Sequence, residues 1–251
     1  MEHQEFLDNA FQIVDQGQKQ DAVLRLLGSV AFYIHCPAYG SFQAKANRYF
    51  TDLDFAAYFK HYDAIQKIFE KLGFQEDREA AVVYTRQRLV LDNMKSSLHV
   101  DIFFDKLDFC HPIPWANRLE VDSPTIPLAE LLLEKMQIVR LNEKDVIDTL
   151  MLVREHPINY SDSETINAGR IADLCAHSWG LWRTITMNLR KVSEFSEKYN
   201  WLDSEDREVI QDRIKELLDI INNQPKSTAW KLRNQIGDRV KWYTEIHEIN
   251  Q

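Results

Sequence analysis

In the first half of the chain, apolar positions switch between helical and strand spacing. Phe6, Ala10, Ile13 and Val14 recur at helical intervals and predict an amphipathic helix over residues 3–17, ended by Gly17. Residues 23–27 read as a short strand, Gly28-Ser29 turns the chain into a helix over 30–35, and Cys36-Pro37 stops it. Residues 37–48, with Pro37, Gly40, Ser41 and Asn47, read as a loop carrying Lys45 and Arg48. A strand is predicted over 50–58. Ile65, Ile68, Phe69 and Leu72 then line one face of a helix over 61–72 that Gly73 ends. Runs with β character follow at 80–85, 88–91 and 98–104, and their short separations predict antiparallel neighbours.

Beyond residue 127 the pattern is almost wholly helical. Residues 111–127 hold four of the seven prolines and are the best linker in the chain. Apolar residues then recur every three or four positions over 128–136, 143–155, 164–176, 180–199, 204–222 and 228–249, with Asn142, Ser163 and Asp203 as N-caps. The expected fold is α+β. A mixed sheet flanked by helices occupies residues 1–125, and an all-helical region follows over 126–251, with the boundary near 120.

Composition narrows the class. With 251 residues and 45% apolar content, the chain can bury a sizeable core. The net charge of −9 argues against a protein that coats nucleic acid generally, while leaving room for a local basic groove. Such a groove would draw on Arg170, Arg183, Arg190, Lys191, Lys231 and Arg233. Cys36, Cys110 and Cys175 are far apart and odd in number, which fits a reducing compartment better than a disulfide framework or a structural zinc site. No apolar run approaches the roughly 20 residues that span a bilayer, and the N-terminus lacks the pattern of a signal peptide. The expectation is a cytoplasmic protein without membrane partners.

Two aspartates change the picture. In a strand, alternate side chains share a face, so Asp52 and Asp54 point the same way while Leu53 and Phe55 point to packing. Adjacent carboxylates repel unless something positive joins them, and a hard cation with oxygen ligands is the usual answer. Asp101 stands on an equivalent face of the 98–104 run, opposite Leu98, Val100, Ile102 and Phe104. His99 and His111 have no matching Cys/His spacing and read either as structural or as supports behind the residues of a site. The cluster Trp179-Gly180-Leu181-Trp182-Arg183 either packs between helices or stacks a base, with packing the favoured reading.

Gly28-Ser29, then Thr51-Asp52-Leu53-Asp54, then Asp101, taken in order, resemble the nucleotidyltransferase superfamily with the DNA polymerase β-type palm. Residues 133–140, containing Lys135, and Lys144-Asp145-Val146-Ile147-Asp148 resemble motifs of its AbiEii-type branch. The likeness covers roughly residues 20–155, with a longer gap than usual between Ser29 and Asp52.

The resemblance implies transfer of NMP from an NTP to an acceptor, with release of pyrophosphate. It implies two Mg²⁺ ions, or Mn²⁺, held by Asp52, Asp54 and Asp101, which are then the catalytic residues. Gly28 would let the backbone approach the triphosphate, and Ser29 would donate to a phosphate oxygen, cap the helix, or do both. Lys135 would neutralise a phosphate. Asp145 would position Lys135 or contact the nucleotide, or else complete a cap with Asn142. Arg48 and Lys45 would meet phosphate or acceptor. The acceptor is open among RNA such as tRNA, a protein and a small molecule, and the branch suggests a toxin with an antitoxin partner. The alternatives are a nucleotide-binding or partner-binding module on the same fold that has lost turnover, and a purely structural interaction protein.

Overall fold

A computed structural model of the chain describes residues 3–46, 48–84 and 87–245. The expected strand end at Thr85, Asn47 in the expected loop and the expected helix end at 246–249 lie outside these residues. The elements in order are α1 (His3–Lys19), β1 (Leu24–Leu27), α2 (Gly28–His35), α3 (Ser41–Lys45), β2 (Asp52–Ala57), α4 (Tyr62–Lys71), β3 (Gln75–Glu76), α5 (Arg78–Tyr84), β4 (Arg88–Asn93) and β5 (Leu98–Phe104). Two short strands, β6 (Lys106–Asp108) and β7 (Pro112–Pro114), precede α6 (Leu128–Met136) and α7 (Glu143–Glu155). Then come β8 (Ile158–Asn159), β9 (Ile166–Asn167), α8 (Ala168–His177), α9 (Trp179–Ser196), α10 (Ser204–Asn223) and α11 (Thr228–Ile236). The fold is α+β.

The chain divides into two units. One comprises residues 1–35, 47–107 and 113–127; the other comprises 36–46, 108–112 and 128–251.

The first unit is built on an open sheet ordered β1-β2-β5-β4-β3. β2 and β5 are parallel, and the other neighbours are antiparallel. One face is apolar at its centre: Leu24, Leu26, Leu53, Phe55, Val100, Ile102, Leu89 and Leu91 are all at most 2% exposed. α1 and α4 bring Ala10, Ile13, Ile65, Ile68 and Phe69 to this core, where the rings of Phe55 and Phe69 meet edge to face at 6.3 Å. The outer edge of β1 is covered by the segment around Thr125. Leu26 donates to the Pro124 carbonyl and accepts from the Ile126 amide, each at 2.9 Å.

The second unit is built on α6, all nine of whose residues are buried. α7, α8 and α9 pack around it. A helix hidden on every side must pair whatever polar residues it carries. Glu130 accordingly accepts from Arg170 Nε at 2.9 Å. α7, α8, α9, α10 and α11 are N-capped by Asn142, Asn167, Ser178, Asp203 and Ser227.

Several expectations are corrected. The run beginning at Ala80 is helical, because Asp77 Oδ1 accepts from the amides of Glu79 and Ala80 at 2.8 and 3.0 Å and starts a turn there. Val82 and Val83 are exposed, so no buried sheet face draws them into a strand. The expected loop over 37–48 contains the short helix α3. α1 runs past Gly17 to Lys19; Gly17 instead accepts the Ala22 amide at 2.9 Å, so that the chain folds back beneath it. Asn167, not Ser163, caps α8. The last long helix ends at Ile236, where Gly237 takes φ of +60° and Arg233 holds the Gly237 and Val240 carbonyls at 2.6 and 2.7 Å.

Candidate functional site

The second face of the sheet carries charge. Register places Asp54 beside Asp101 and Asp52 beside His99 across the parallel β2–β5 pair, so these four side chains share a face. The β4–β5 pairing adds Arg88 opposite Phe103 and Asp92 opposite His99. Asp52 and Asp54 are half-buried, whereas Asp101 is 4% exposed. Thr51 Oγ1 donates to Asp52 Oδ1 at 3.0 Å and orients that carboxylate.

Asp101 is held from two sides. Arg88 donates to it through Nε and Nη2, at 2.9 and 2.5 Å to the two carboxylate oxygens. His99 Nε2 stands 3.6 Å from Asp101 Oδ2, and its Nδ1 is 2.8 Å from Asp92 Oδ1. Burial works to raise the Asp101 carboxyl, but the neighbouring His99 ring and the Arg88 guanidinium outweigh it and hold the group below the usual carboxylate range. In return, Asp101 raises His99 to about 9, against burial and with help from Asp92. At neutral pH this carboxylate therefore has two cationic neighbours.

Gly28 brings the bend at the start of α2 against the same carboxylates. Its φ is +69°, and a Cβ built on it would stand 2.3 Å from Asp54 Oδ2. Only glycine satisfies both conditions at once. The Asp54 carboxylate thus lies at a helix N-terminus, where amide dipoles favour negative charge, and Ser29 is buried in the same first turn. Gly28→Ala is expected to cost about 1–3 kcal/mol of stability, measured by urea unfolding. Gly73→Ala is the control for backbone strain alone, since Gly73 has φ of +85° with nothing nearer than 3.8 Å. Equal losses in the two variants would show that Gly28 and Asp54 are not crowded together.

Arg48 is half-buried ahead of β2, in the first unit. Lys45 belongs to the other unit, where its ammonium lies 5.6 Å from the centre of the Phe42 ring.

Lys135 and Asp145 also lie in the second unit, in a buried cluster. Lys135 Nζ is 2.8 Å from Glu134 Oε1 and 3.6 Å from both Asp145 Oδ1 and Asp148 Oδ2. Gln43 Nε2 donates to Asp148 Oδ1 at 3.1 Å. Burial works to lower the Lys135 ammonium, but the surrounding carboxylates outweigh it and drive the group well above its ordinary range. The Asp145 amide is the one that Asn142 caps, at 2.9 Å, so Asp145 both completes a cap and faces Lys135. Asn188, buried in α9, donates to the Met136 and Ile138 carbonyls at 2.9 and 2.7 Å and fixes the end of the helix that carries Lys135.

The structure therefore brings Gly28, Ser29, Asp52, Asp54 and Asp101 together in one unit, and Lys135 and Asp145 together in the other. The donor chemistry of Asp52, Asp54 and Asp101 suits a hard divalent cation. Yet among the described residues no group of three or more His, Cys, Asp or Glu side chains is arranged to hold a metal ion. Both oxygens of Asp101 accept from Arg88. Sequence reasoning missed Arg88, Glu134 and Gln43. Arg88 had a signal, because strand alternation puts it on the same face as the charged residues of β5.

The tryptophan cluster is packing. Trp182 and Trp230 meet at 5.0 Å, Trp179 Nε1 donates to Asn234, and Arg233 stacks on Trp179 at 4.4 Å. Arg183 pairs with Asp238 at 2.8 Å. Arg170, Arg183 and Arg233 of the expected basic groove are thus committed to internal contacts.

His111 is 5% exposed and bonds through Nε2 to Thr184 Oγ1 at 2.8 Å, while Trp242 Nε1 donates to the same hydroxyl at 3.0 Å. Burial pushes His111 down to about 4. The folded protein then binds fewer protons at this site than the unfolded chain, whose histidine titrates near 6.5. Stability is expected to be complete above that value and to fall by about 3 kcal/mol as pH drops from about 6.5 to about 4. Unfolding midpoints of the protein and of His111→Gln across this range check it, and parallel curves would refute the assignment.

No family model matches the chain, and comparison with curated proteins finds no significant match.

Proposed function

We propose that the protein is a Mg²⁺-dependent nucleotidyltransferase that moves NMP from an NTP to an acceptor and releases pyrophosphate. The observation that carries this reading is the meeting of Asp54 with Asp101 on the parallel β2–β5 pair, with the Gly28 bend directly against Asp54. An anion-receptive helix start beside paired carboxylates suits a substrate that is a polyanion accompanied by divalent cations.

In this reading, the amides at the start of α2 and the Ser29 hydroxyl bind the triphosphate, and the absence of a side chain at Gly28 lets Asp54 lie against the same bend. Asp52 and Asp54 would be the residues to hold Mg²⁺, with Asp101, whose oxygens accept from Arg88, as the third carboxylate of the set. When bound, the metal offsets negative charge developing on the phosphoryl oxygens and on departing pyrophosphate. The resemblance would have Lys135 neutralise a phosphate and Asp145 position Lys135 or contact the nucleotide, and the 3.6 Å between Lys135 Nζ and Asp145 Oδ1 supports the positioning role. The acceptor stays open among tRNA or other RNA, a protein and a small molecule, and a toxin with an antitoxin partner remains part of the proposal.

A second reading, a nucleotide-binding module without turnover, is favoured by the engagement of both Asp101 oxygens with Arg88. Incubation with α-labelled NTPs, Mg²⁺ and a cell extract separates the two. Label entering an RNA, protein or small-molecule fraction with release of pyrophosphate supports the enzyme. Saturable NTP binding without pyrophosphate supports the module.

A further inference from the structure

We propose that the start of α9 and the Cys110–His111 segment form a seat for an extended peptide bearing a tryptophan, and that residues 240–244 of the chain fill this seat as a built-in, displaceable strap. All of these residues belong to the second unit. The inference goes beyond the nucleotidyltransferase reading and does not draw on it.

Three observations carry it. First, the seat is shaped to admit a backbone. Gly180 is the second residue of α9, and glycine is a poorer helix former than alanine. A Cβ there would stand 2.5 Å from the Trp242 carbonyl oxygen and 3.3 Å from His111 Cε1. The main chain of the strap therefore lies directly on the helix where no side chain projects. Second, the contacts that hold the strap are those a separate peptide would make. Trp242 Nε1 donates to Thr184 Oγ1 at 3.0 Å, across 58 residues of chain. The indole meets Trp179 edge to face at 6.3 Å, and the Arg183 guanidinium lies 5.6 Å from its ring centre. The Thr244 amide donates to the Cys110 carbonyl at 3.1 Å. An indole N–H, an aromatic ring and a main-chain donor are thus read together, and none of these contacts requires a covalent link to α11. Third, the strap is able to leave. Val240, Lys241, Thr244 and Glu245 are exposed, and Trp242 and Tyr243 are only half-buried. The chain leaves α11 through Gly237, whose φ is +60° and where an added Cβ would meet nothing within 4 Å, so the hinge is unobstructed. Its side-chain latch, Arg183 with Asp238 at 2.8 Å, is 29% and 50% exposed and screened by water. Opening uncovers the Thr184 hydroxyl, the Trp179 ring and the Cys110 carbonyl as one recognition set.

The test uses a fluorescein-labelled peptide with the sequence of Arg239–Glu245 and the full chain, with binding read by fluorescence anisotropy. In the unaltered protein the tethered strap competes with the peptide. Trp242→Ala weakens that competitor, so its dissociation constant for the peptide should be about tenfold lower than that of the unaltered protein. The gain should vanish in Gly180→Ala/Trp242→Ala, where the new methyl group occupies the place of the carbonyl, and for the peptide with alanine in place of its tryptophan. Where circular dichroism shows that an alanine variant does not fold, Trp242→Phe replaces the first substitution and Thr184→Val the second. Trp242→Phe keeps the ring and loses the indole donor, and Thr184→Val keeps the shape and loses the acceptor. No saturable binding by the Trp242 variant at millimolar peptide overturns the proposal. So does equal binding by the Trp242 variant and the unaltered protein, and so does binding that is indifferent to the seat substitution.

Discussion

Asp54→Asn should reduce NTP-dependent pyrophosphate release by about a thousandfold or more while leaving the protein folded. The substitution keeps the shape of the side chain and removes its charge. Asp54 is half-buried on the sheet face opposite the apolar core, so the substitution does not disturb the packing of that core. It stands nevertheless where the two parts of the proposed site meet: beside Asp101 across the parallel pair, and against the bend that starts α2. An amide there cannot bridge cations as a carboxylate does, and it presents a donor where a triphosphate brings negative charge. Stability should change by less than about 1 kcal/mol, since one repulsive neighbour of Asp101 is lost along with a favourable charge at the helix start. Pyrophosphate release and urea unfolding on the same preparation give both quantities. Undiminished release by a well-folded Asp54→Asn protein would reject the mechanism.

Lys135→Met should destabilise the protein by about 3–5 kcal/mol at neutral pH. Methionine fits the volume of the lysine stem, so the loss measures charge and not a cavity. Lys135 is 8% exposed, and Glu134, Asp145 and Asp148 converge on its ammonium from 2.8 to 3.6 Å. Without it the three carboxylates face one another in a poorly solvated space. The Gln43 amide still supports Asp148, which limits the loss. The variant relieves its repulsion by taking up protons, so the penalty should be largest near pH 8 and shrink towards pH 5. Lys135→Met/Asp148→Asn should recover part of the lost stability. Urea midpoints at the two pH values provide the check; a small penalty independent of pH would show that other groups carry the balance in this cluster.

Much of this architecture was legible in the sequence. The strand over Leu98–Phe104 and the helices over Leu128–Met136 and Glu143–Glu155 follow from apolar spacing that packing reinforces. The shared face of Asp52, Asp54 and Asp101 follows from strand alternation plus a parallel register that alternation cannot supply. Valines at 82 and 83 misled because a local cap at Asp77 outweighed β propensity where no sheet face was offered. Arg88 was legible only in part. Its place on the charged face is a matter of counting by twos, but its fork around Asp101 depends on how β4 and β5 align. The cluster at Lys135 needed tertiary contact to appear, because Gln43 and Asp148 are more than a hundred residues apart in the chain.

The covering of β1 by the stretch around Thr125 bears on how the protein is made. Leu26 leaves the ribosome long before the backbone that seals it, and the roughly 100 intervening residues take about 5–20 s to translate at ordinary speeds. Throughout that interval the nascent sheet presents an open row of amides and carbonyls, the kind of margin to which stray strands attach. Truncated products that stop short of Pro124 should therefore be the aggregation-prone ones, and the emerging chain should lean most on chaperones during that interval.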